Sequence, residues 1–254
     1  MGAALLLAMF EFQSHLIFPT HAVPKAGRLP TGAKTLSLKV DKGVTLNGVH
    51  FPPPRASQDT TLILGFGGNA WNAQDVGTYL HDLYPGAHVV TFHYRGYAPS
   101  TGSPSSSALL ADAPRLYDHA VDAIRPDRTI LVGFSIGSGI AAHLATQRPV
   151  AGAILVTPFD SLKASAQSLY PWIPIGPFFA HEIDAAAAAE RTSVPIAIIG
   201  AQHDTIIQPA RTDALRKRVR NLVFDRTIRG AGHNDIYAKS EFQEAMQDAL
   251  AAIP

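Results

Sequence analysis

The sequence predicts an α/β protein: a mostly parallel central sheet of about eight strands with helices on both faces, an N-terminal antiparallel hairpin and no large cap domain. Three observations predict it. Short apolar β-rich runs alternate with helical stretches from Thr60 to Ala252. Ahead of them, Lys34–Val40 carries the alternating TLSLKV, and Val44–Phe51 reads as its hairpin partner. Finally, an apolar strand changes into a small-residue helix at Gly133-Phe134-Ser135-Ile136-Gly137.

The elements follow in order. Pro52-Pro53-Pro54 closes the hairpin, since proline cannot donate to a ladder. Thr60–Leu64 is a buried strand running into Gly67-Gly68-Asn69-Ala70-Trp71-Asn72, and Ala73–Leu83 has apolar residues at helical spacing. His88–Phe92 is the next strand, ending in His93-Tyr94-Arg95-Gly96-Tyr97, and a Ser/Pro/Gly loop leads to a helix over Ser107–Ile124. The strand Thr129–Val132 enters the serine turn and the helix SGIAAHLAT leaves it. Ala151–Val156 is a strand, Ala180–Arg191 a helix, Pro195–Ile199 a strand, Pro209–Arg218 a helix, Leu222–Thr227 a strand and Asp235–Ala252 a closing helix. The division is an apolar segment and linker over 1–32 and one catalytic domain over 33–254. There is no internal repeat.

A serine between glycines at a strand-to-helix switch is the nucleophile-elbow pattern. The turn is too tight for Cβ atoms two residues either side of Ser135. It sets the hydroxyl at a helix N-terminus, where the Ile136 N–H can stabilise a developing oxyanion. Two other strand ends carry matching groups. Asp204 follows PIAIIG in Gly200-Ala201-Gln202-His203-Asp204, and His233 follows VFDRTIRG in Ala231-Gly232-His233. The chain order is therefore Ser135, Asp204, His233, the order of the α/β-hydrolases. In such a set His233 takes the serine proton and Asp204 fixes its tautomer. Asp160 is the rival acid, read more simply as a helix N-cap. Asn69, after two glycines at a strand end, offers its backbone N–H as the second oxyanion donor.

Further segments extend the pattern. GGNAWN (Gly67–Asn72), YRGYAPSTGSPS (Tyr94–Ser105), GFSIGSG (Gly133–Gly139), GAQHD (Gly200–Asp204) and GAGHND (Gly230–Asp235) stand in order. With these, the chain resembles the serine hydrolases of the α/β-hydrolase superfamily. More narrowly, it is similar to the α/β-hydrolase-domain proteins that include membrane-associated depalmitoylases, whose segments read like HGNAGN, YRGYGxSxGxPS, GxSxGG, GxxD and GAGHND. The resemblance implies that fold, an N-terminal membrane anchor and hydrolysis of acyl bonds. Gly67 stands where that group has His, Trp71 where it has Gly, and Ala98 where it has Gly after YRGY. The first two changes reshape the oxyanion wall or pocket without removing backbone donors.

The leading expectation is a serine esterase or thioesterase that needs no cofactor and no metal. It acts through an acyl-enzyme on a small or lipid-like acyl substrate. A peptidase or amidase of the same fold and an idle binding scaffold are the alternatives. Trp71, Phe134, Tyr170 and Trp172 are candidate pocket residues. The last two lie in LYPWIPIGPFF (Leu169–Phe179), whose brevity predicts an open site. Arg95 and Asp112 read as a structural ion pair. His93 and His203 both end strands, but a metal site needs a third ligand.

Composition limits the alternatives. At 46% hydrophobic and 16% charged over 254 residues, the chain can fill a large core. A net charge of +1 gives nucleic acid no electrostatic footprint, and the absence of cysteine excludes disulfides and thiolate zinc sites. Ala3–Phe10 and Leu16–Phe18 are apolar, and no Lys or Arg precedes the first run. The first run is shorter than the roughly 20 residues a spanning helix needs. Anchor, weak signal and packed helix all remain open. The expectation is that the segment provides peripheral membrane contact and takes no part in building the site. Oligomeric state is open.

Overall fold

A computed structural model describes residues 13–55, 60–172 and 179–254. The apolar run Ala3–Phe10 and most of Leu169–Phe179 lie outside them. Eight strands form one sheet: β1 (Lys34–Asp41), β2 (Val44–Phe51), β3 (Thr61–Phe66), β4 (His88–Phe92), β5 (Arg128–Phe134), β6 (Gly152–Val156), β7 (Ile196–Ala201) and β8 (Leu222–Ile228). Their order is β1-β2-β4-β3-β5-β6-β7-β8. The β1/β2 and β2/β4 pairs are antiparallel and the others parallel. From β1 onward, the helices of the described residues are α1 (Ala73–Leu83), α2 (Ser106–Ile124), α3 (Ile136–Leu144), α4 (Leu162–Leu169), α5 (Ala185–Arg191), α6 (Pro209–Arg216) and α7 (Ser240–Ala251).

Strand residues alternate between two cores. Leu62, Leu64, Leu131 and Leu155 join Leu116 of α2, Ile140 of α3 and Ala188 of α5 on one face. Ile63, Ile130, Val132 and Ile154 join Val76 and Leu80 of α1 and Phe242 and Met246 of α7 on the other. Both faces are apolar, which is why the central strands read as continuous hydrophobic runs. Side chains cap several helices: Asn72 accepts from the Gln74 N–H, Ser105 from Ala108 and Ser161 from Ala164.

The boundaries differ from the sequence expectation in three places. The helix expected over Ala180–Arg191 is α5, which begins only at Ala185. Asp184 caps it, accepting from the Ala187 N–H at 2.7 Å, and pairs as an isolated bridge with Ser161, so the preceding residues are not helical. The expected helix Asp235–Ala252 is a short 3₁₀ turn, Ile236–Ala238, followed by α7. The helix α4 has no counterpart in the sequence reading; its one buried residue is Ser165, so no apolar stripe marks it.

The stretch before β1 is bonded to the domain. Residues 13–17 are helical, and Phe18 is 2% exposed within the core on the α3 side. Ser14 Oγ and His181 Nε2 lie 2.8 Å apart, and the Phe18 ring meets His181 edge-on at 5.2 Å. Further along, the Pro24 and Gly27 carbonyls accept from the Asn72 and Gln74 amides at 3.0 Å each. These bonds tie the segment to the start of α1.

Candidate active site

The central strand β5 delivers Ser135. The residue has φ 52° and ψ −116°, a conformation costly for any side chain. The surroundings enforce it: the Ser135 N–H donates to the Val156 carbonyl at 2.9 Å, and the Ser138 hydroxyl donates to the Ser135 carbonyl at 2.5 Å. A Cβ on Gly133 would meet the Gly137 carbonyl oxygen at 2.3 Å, and one on Gly137 the Phe66 carbonyl oxygen at 2.1 Å. Glycine is thus required at both places because backbone approaches backbone.

The loop after β7 brings Asp204, and the loop after β8 brings His233. Their strands are adjacent and parallel, so both side chains emerge at the same sheet edge as Ser135. The loops are tied together: His203 N–H donates to the Ala231 carbonyl at 2.8 Å, and Gly230 N–H to Gln202 Oε1 at 2.9 Å. Asp235 Oδ1 accepts from the Gly232 N–H at 2.6 Å and shapes the turn that carries His233.

His233 Nε2 lies 3.1 Å from Ser135 Oγ, and His233 Nδ1 lies 2.7 Å from Asp204 Oδ2. The Asp204 side chain is 2% exposed. Its other oxygen accepts from the Ile206 and Ile207 N–H groups at 2.9 and 2.7 Å. A buried carboxylate with those partners holds the imidazole proton on Nδ1, leaving Nε2 able to take the hydroxyl proton.

Asp160 occupies a different environment. Its carboxylate pairs with Arg211 at 3.3 Å, and Ser161, not Asp160, is the N-cap of α4. The cap expected of Asp160 is therefore corrected to an ion pair.

Gly68 and Asn69 follow β3 against the nucleophile, for a Cβ on Gly68 would lie 3.8 Å from the Ser135 Cβ. The Asn69 side chain is held at both ends: Tyr97 Oη donates to its Oδ1 at 2.6 Å, and its Nδ2 donates to the Ile17 carbonyl. Ile136 opens α3 and is 3% exposed. The helix start places its N–H among those with no intrahelical partner.

The candidate pocket residues separate. Phe134 is 0% exposed and packs on Trp71 and Tyr237, at ring distances of 5.2 and 5.9 Å; it belongs to the core and not to a pocket wall. Trp71 is half-buried and also meets Tyr237 at 4.8 Å. It lines a small cavity behind the Gly67–Asn69 loop with Val23, His93, Tyr94 and Tyr97. Tyr170 and Trp172 are exposed and pair with each other, edge to face at 5.9 Å. Burial pushes the His93 imidazole down to about 4, so it stays neutral in that cavity. Arg95 forms a two-pronged pair with Asp112, at 2.6 and 2.9 Å, and also reaches Asp41 at 2.7 Å. Tyr94, Tyr97, Tyr237 and Asp235 are site supports the sequence reading missed; for the first two the YRGY spelling was the available signal.

Residues 62–192, just over half the chain, match the model of the α/β hydrolase fold family. The chain belongs to that family and is a hydrolase by fold and kinship. An uncharacterised protein of Mycobacterium tuberculosis is 26% identical over 240 residues, 92% of this chain and 85% of that one. The lysophosphatidylserine lipase ABHD12 of Danio rerio is 28% identical over 198 residues, 66% of this chain but only 51% of the lipase. An α/β hydrolase domain-containing protein 17B of Xenopus laevis is 28% identical over 208 residues, 75% of this chain and 66% of that protein. Among solved structures, a Pyrococcus furiosus esterase superposes with a TM-score of 0.72 at 14% identity, covering 91% of this chain and 96% of the esterase. That is a likeness of fold.

Proposed function

We propose that this chain is a serine hydrolase that cleaves carboxylic ester or thioester bonds through Ser135, His233 and Asp204, with its catalytic residues in 33–254 and the stretch from residue 13 packed onto that domain. The hydrogen-bonded line from Ser135 Oγ through His233 to Asp204 carries the proposal. His233 Nε2 removes the hydroxyl proton as Ser135 Oγ attacks the acyl carbonyl. The backbone N–H groups of Asn69 and Ile136 stabilise the tetrahedral oxyanion. The imidazolium then protonates the leaving alcohol or thiol, and an acyl-serine remains. Water, deprotonated by His233, attacks that acyl group and frees Ser135. The step needs no group beyond water. The kinship with a lipase and the exposed Tyr170 and Trp172 favour a lipid-like or small acyl substrate.

A fluorophosphonate probe tests the nucleophile. Wild type is expected to be labelled at Ser135, and Ser135→Ala to escape labelling with ester turnover reduced by about six orders of magnitude, as for other such triads. Equal labelling of both proteins removes Ser135 from the role. A panel of ester and thioester substrates of graded chain length then defines the acyl preference.

A further inference from the structure

Both tyrosines of Tyr94-Arg95-Gly96-Tyr97 end on the loop that faces Ser135. Tyr94 Oη donates to the Gly67 carbonyl at 2.7 Å and Tyr97 Oη to Asn69 Oδ1 at 2.6 Å. Both rings are buried and meet edge to face at 5.8 Å. Their own turn is fixed from below. The Tyr97 N–H donates to the Tyr94 carbonyl at 2.9 Å and the Gly96 N–H to the Thr101 carbonyl at 3.1 Å, while Arg95 is forked onto Asp112 of α2. From the other side the Ile17 carbonyl accepts the Asn69 amide. The Ile17 carbonyl can only accept, so it keeps the Asn69 nitrogen on its side and turns the amide oxygen toward the Tyr97 hydroxyl, which donates to it.

We infer that Tyr97 is a positioning residue for the oxyanion donor: through the Asn69 side chain it holds the loop whose Asn69 N–H faces the acyl oxygen. Tyr94 and the Ile17 carbonyl are its companion anchors. The inference rests on the hydrolase reading proposed above. Its physical basis is that an oxyanion donor stabilises the transition state only if it is aimed beforehand, so that no loop reorganisation accompanies charge development. Asn69 donates through its backbone and its side chain is the handle by which the backbone is held.

A double-mutant cycle on ester turnover tests this. Tyr97→Phe removes one oxygen from a packed ring and is expected to lower kcat roughly five- to tenfold with KM within about twofold, well short of the 100- to 1000-fold lost with a donor itself. Asn69→Ala, which keeps the backbone donor, is expected to cost about as much. The double variant should be no worse than Asn69→Ala alone, because the hydroxyl acts only through that amide. A boronic acid that forms a tetrahedral adduct with Ser135 should bind Tyr97→Phe more weakly by the same factor as kcat/KM falls. Additive losses in the double variant overturn the inference, since they mean that the hydroxyl works through packing. Unchanged kcat in Tyr97→Phe also overturns it. If Tyr97→Phe does not fold, Asn69→Ala carries the test: it frees the same handle, and unchanged kcat overturns the proposal. Wild type that is labelled at Ser135 and turns over ester, with unaffected variants, overturns this inference alone. Wild type that does neither overturns the hydrolase reading and this inference together.

Discussion

Asp204 and Asp160 are the same chemical group in loops that follow neighbouring strands, and only their partners separate them. Asp204 meets an imidazole with one oxygen and two backbone N–H groups with the other; Asp160 faces a guanidinium. Asp204→Asn would present an amide that favours the wrong His233 tautomer. It is expected to lower kcat by about three to four orders of magnitude, as in the serine-protease template. Asp160→Asn should leave kcat near wild type and lower the melting temperature through loss of the Arg211 pair. Steady-state kinetics beside thermal melts of both variants decide it, and a crippled Asp160→Asn with its fold intact reverses the assignment. At this scale the legible residues are those with a local signature: a serine between glycines, an acid and a histidine each just past an apolar strand. The Tyr97–Asn69 contact joins residues 28 apart, and no local periodicity announces a hydroxyl that reaches another loop.

Elements are legible where burial imposes a period and obscure where capping decides. The central strands read directly because both faces are covered, and their residues divide cleanly between two cores. The start of α5 depends on Asp184 as a cap, a choice among several polar residues that composition does not make. The elbow is the most constrained element, since its two glycines exclude a Cβ by contact with backbone, which cannot step aside as a side chain can. Gly137→Ala is expected to destabilise the protein by more than the roughly 1–3 kcal/mol of ordinary overpacking. Gly86→Ala, where a Cβ meets nothing within 4 Å, should change stability by no more than about 0.5 kcal/mol, as at other unconstrained surface sites. Urea midpoints of the two variants make the comparison. Similar midpoints would mean that the elbow relaxes easily and is not held by its neighbours.

On the scale of the whole molecule, the N-terminal segment is where the sequence leaves anchor, weak signal and packed helix open, and where residues 14–18 fall on the side of packing. An apolar run followed by a proline-containing stretch reads as a tether, because hydrophobicity alone does not say whether a membrane or the protein's own core receives it. Phe18 lies in the core, and the Ile17 carbonyl holds the Asn69 amide, so the expectation that the segment takes no part in the site is corrected. Among the described residues no helix is long and apolar enough to cross a membrane. Two changes separate the contributions. Phe18→Ala removes a fully buried ring and is expected to cost about 3–5 kcal/mol of stability, in line with other buried aromatic truncations. It should also lower ester turnover by loosening the residue beside the Ile17 carbonyl. Deleting residues 1–12 instead removes the run Ala3–Phe10 and leaves Ile17 and Phe18 in place. That deletion should keep kcat/KM on a soluble p-nitrophenyl ester within a few-fold of wild type while releasing the protein from lipid vesicles in a co-sedimentation assay, since one short apolar segment gives only reversible attachment. Phe18→Ala, by contrast, should still sediment with vesicles at temperatures where it is folded. If Phe18→Ala unfolds at the same urea concentration as wild type, the segment is not part of the core in solution. If the full chain never sediments with vesicles, its first residues serve something other than a lipid surface.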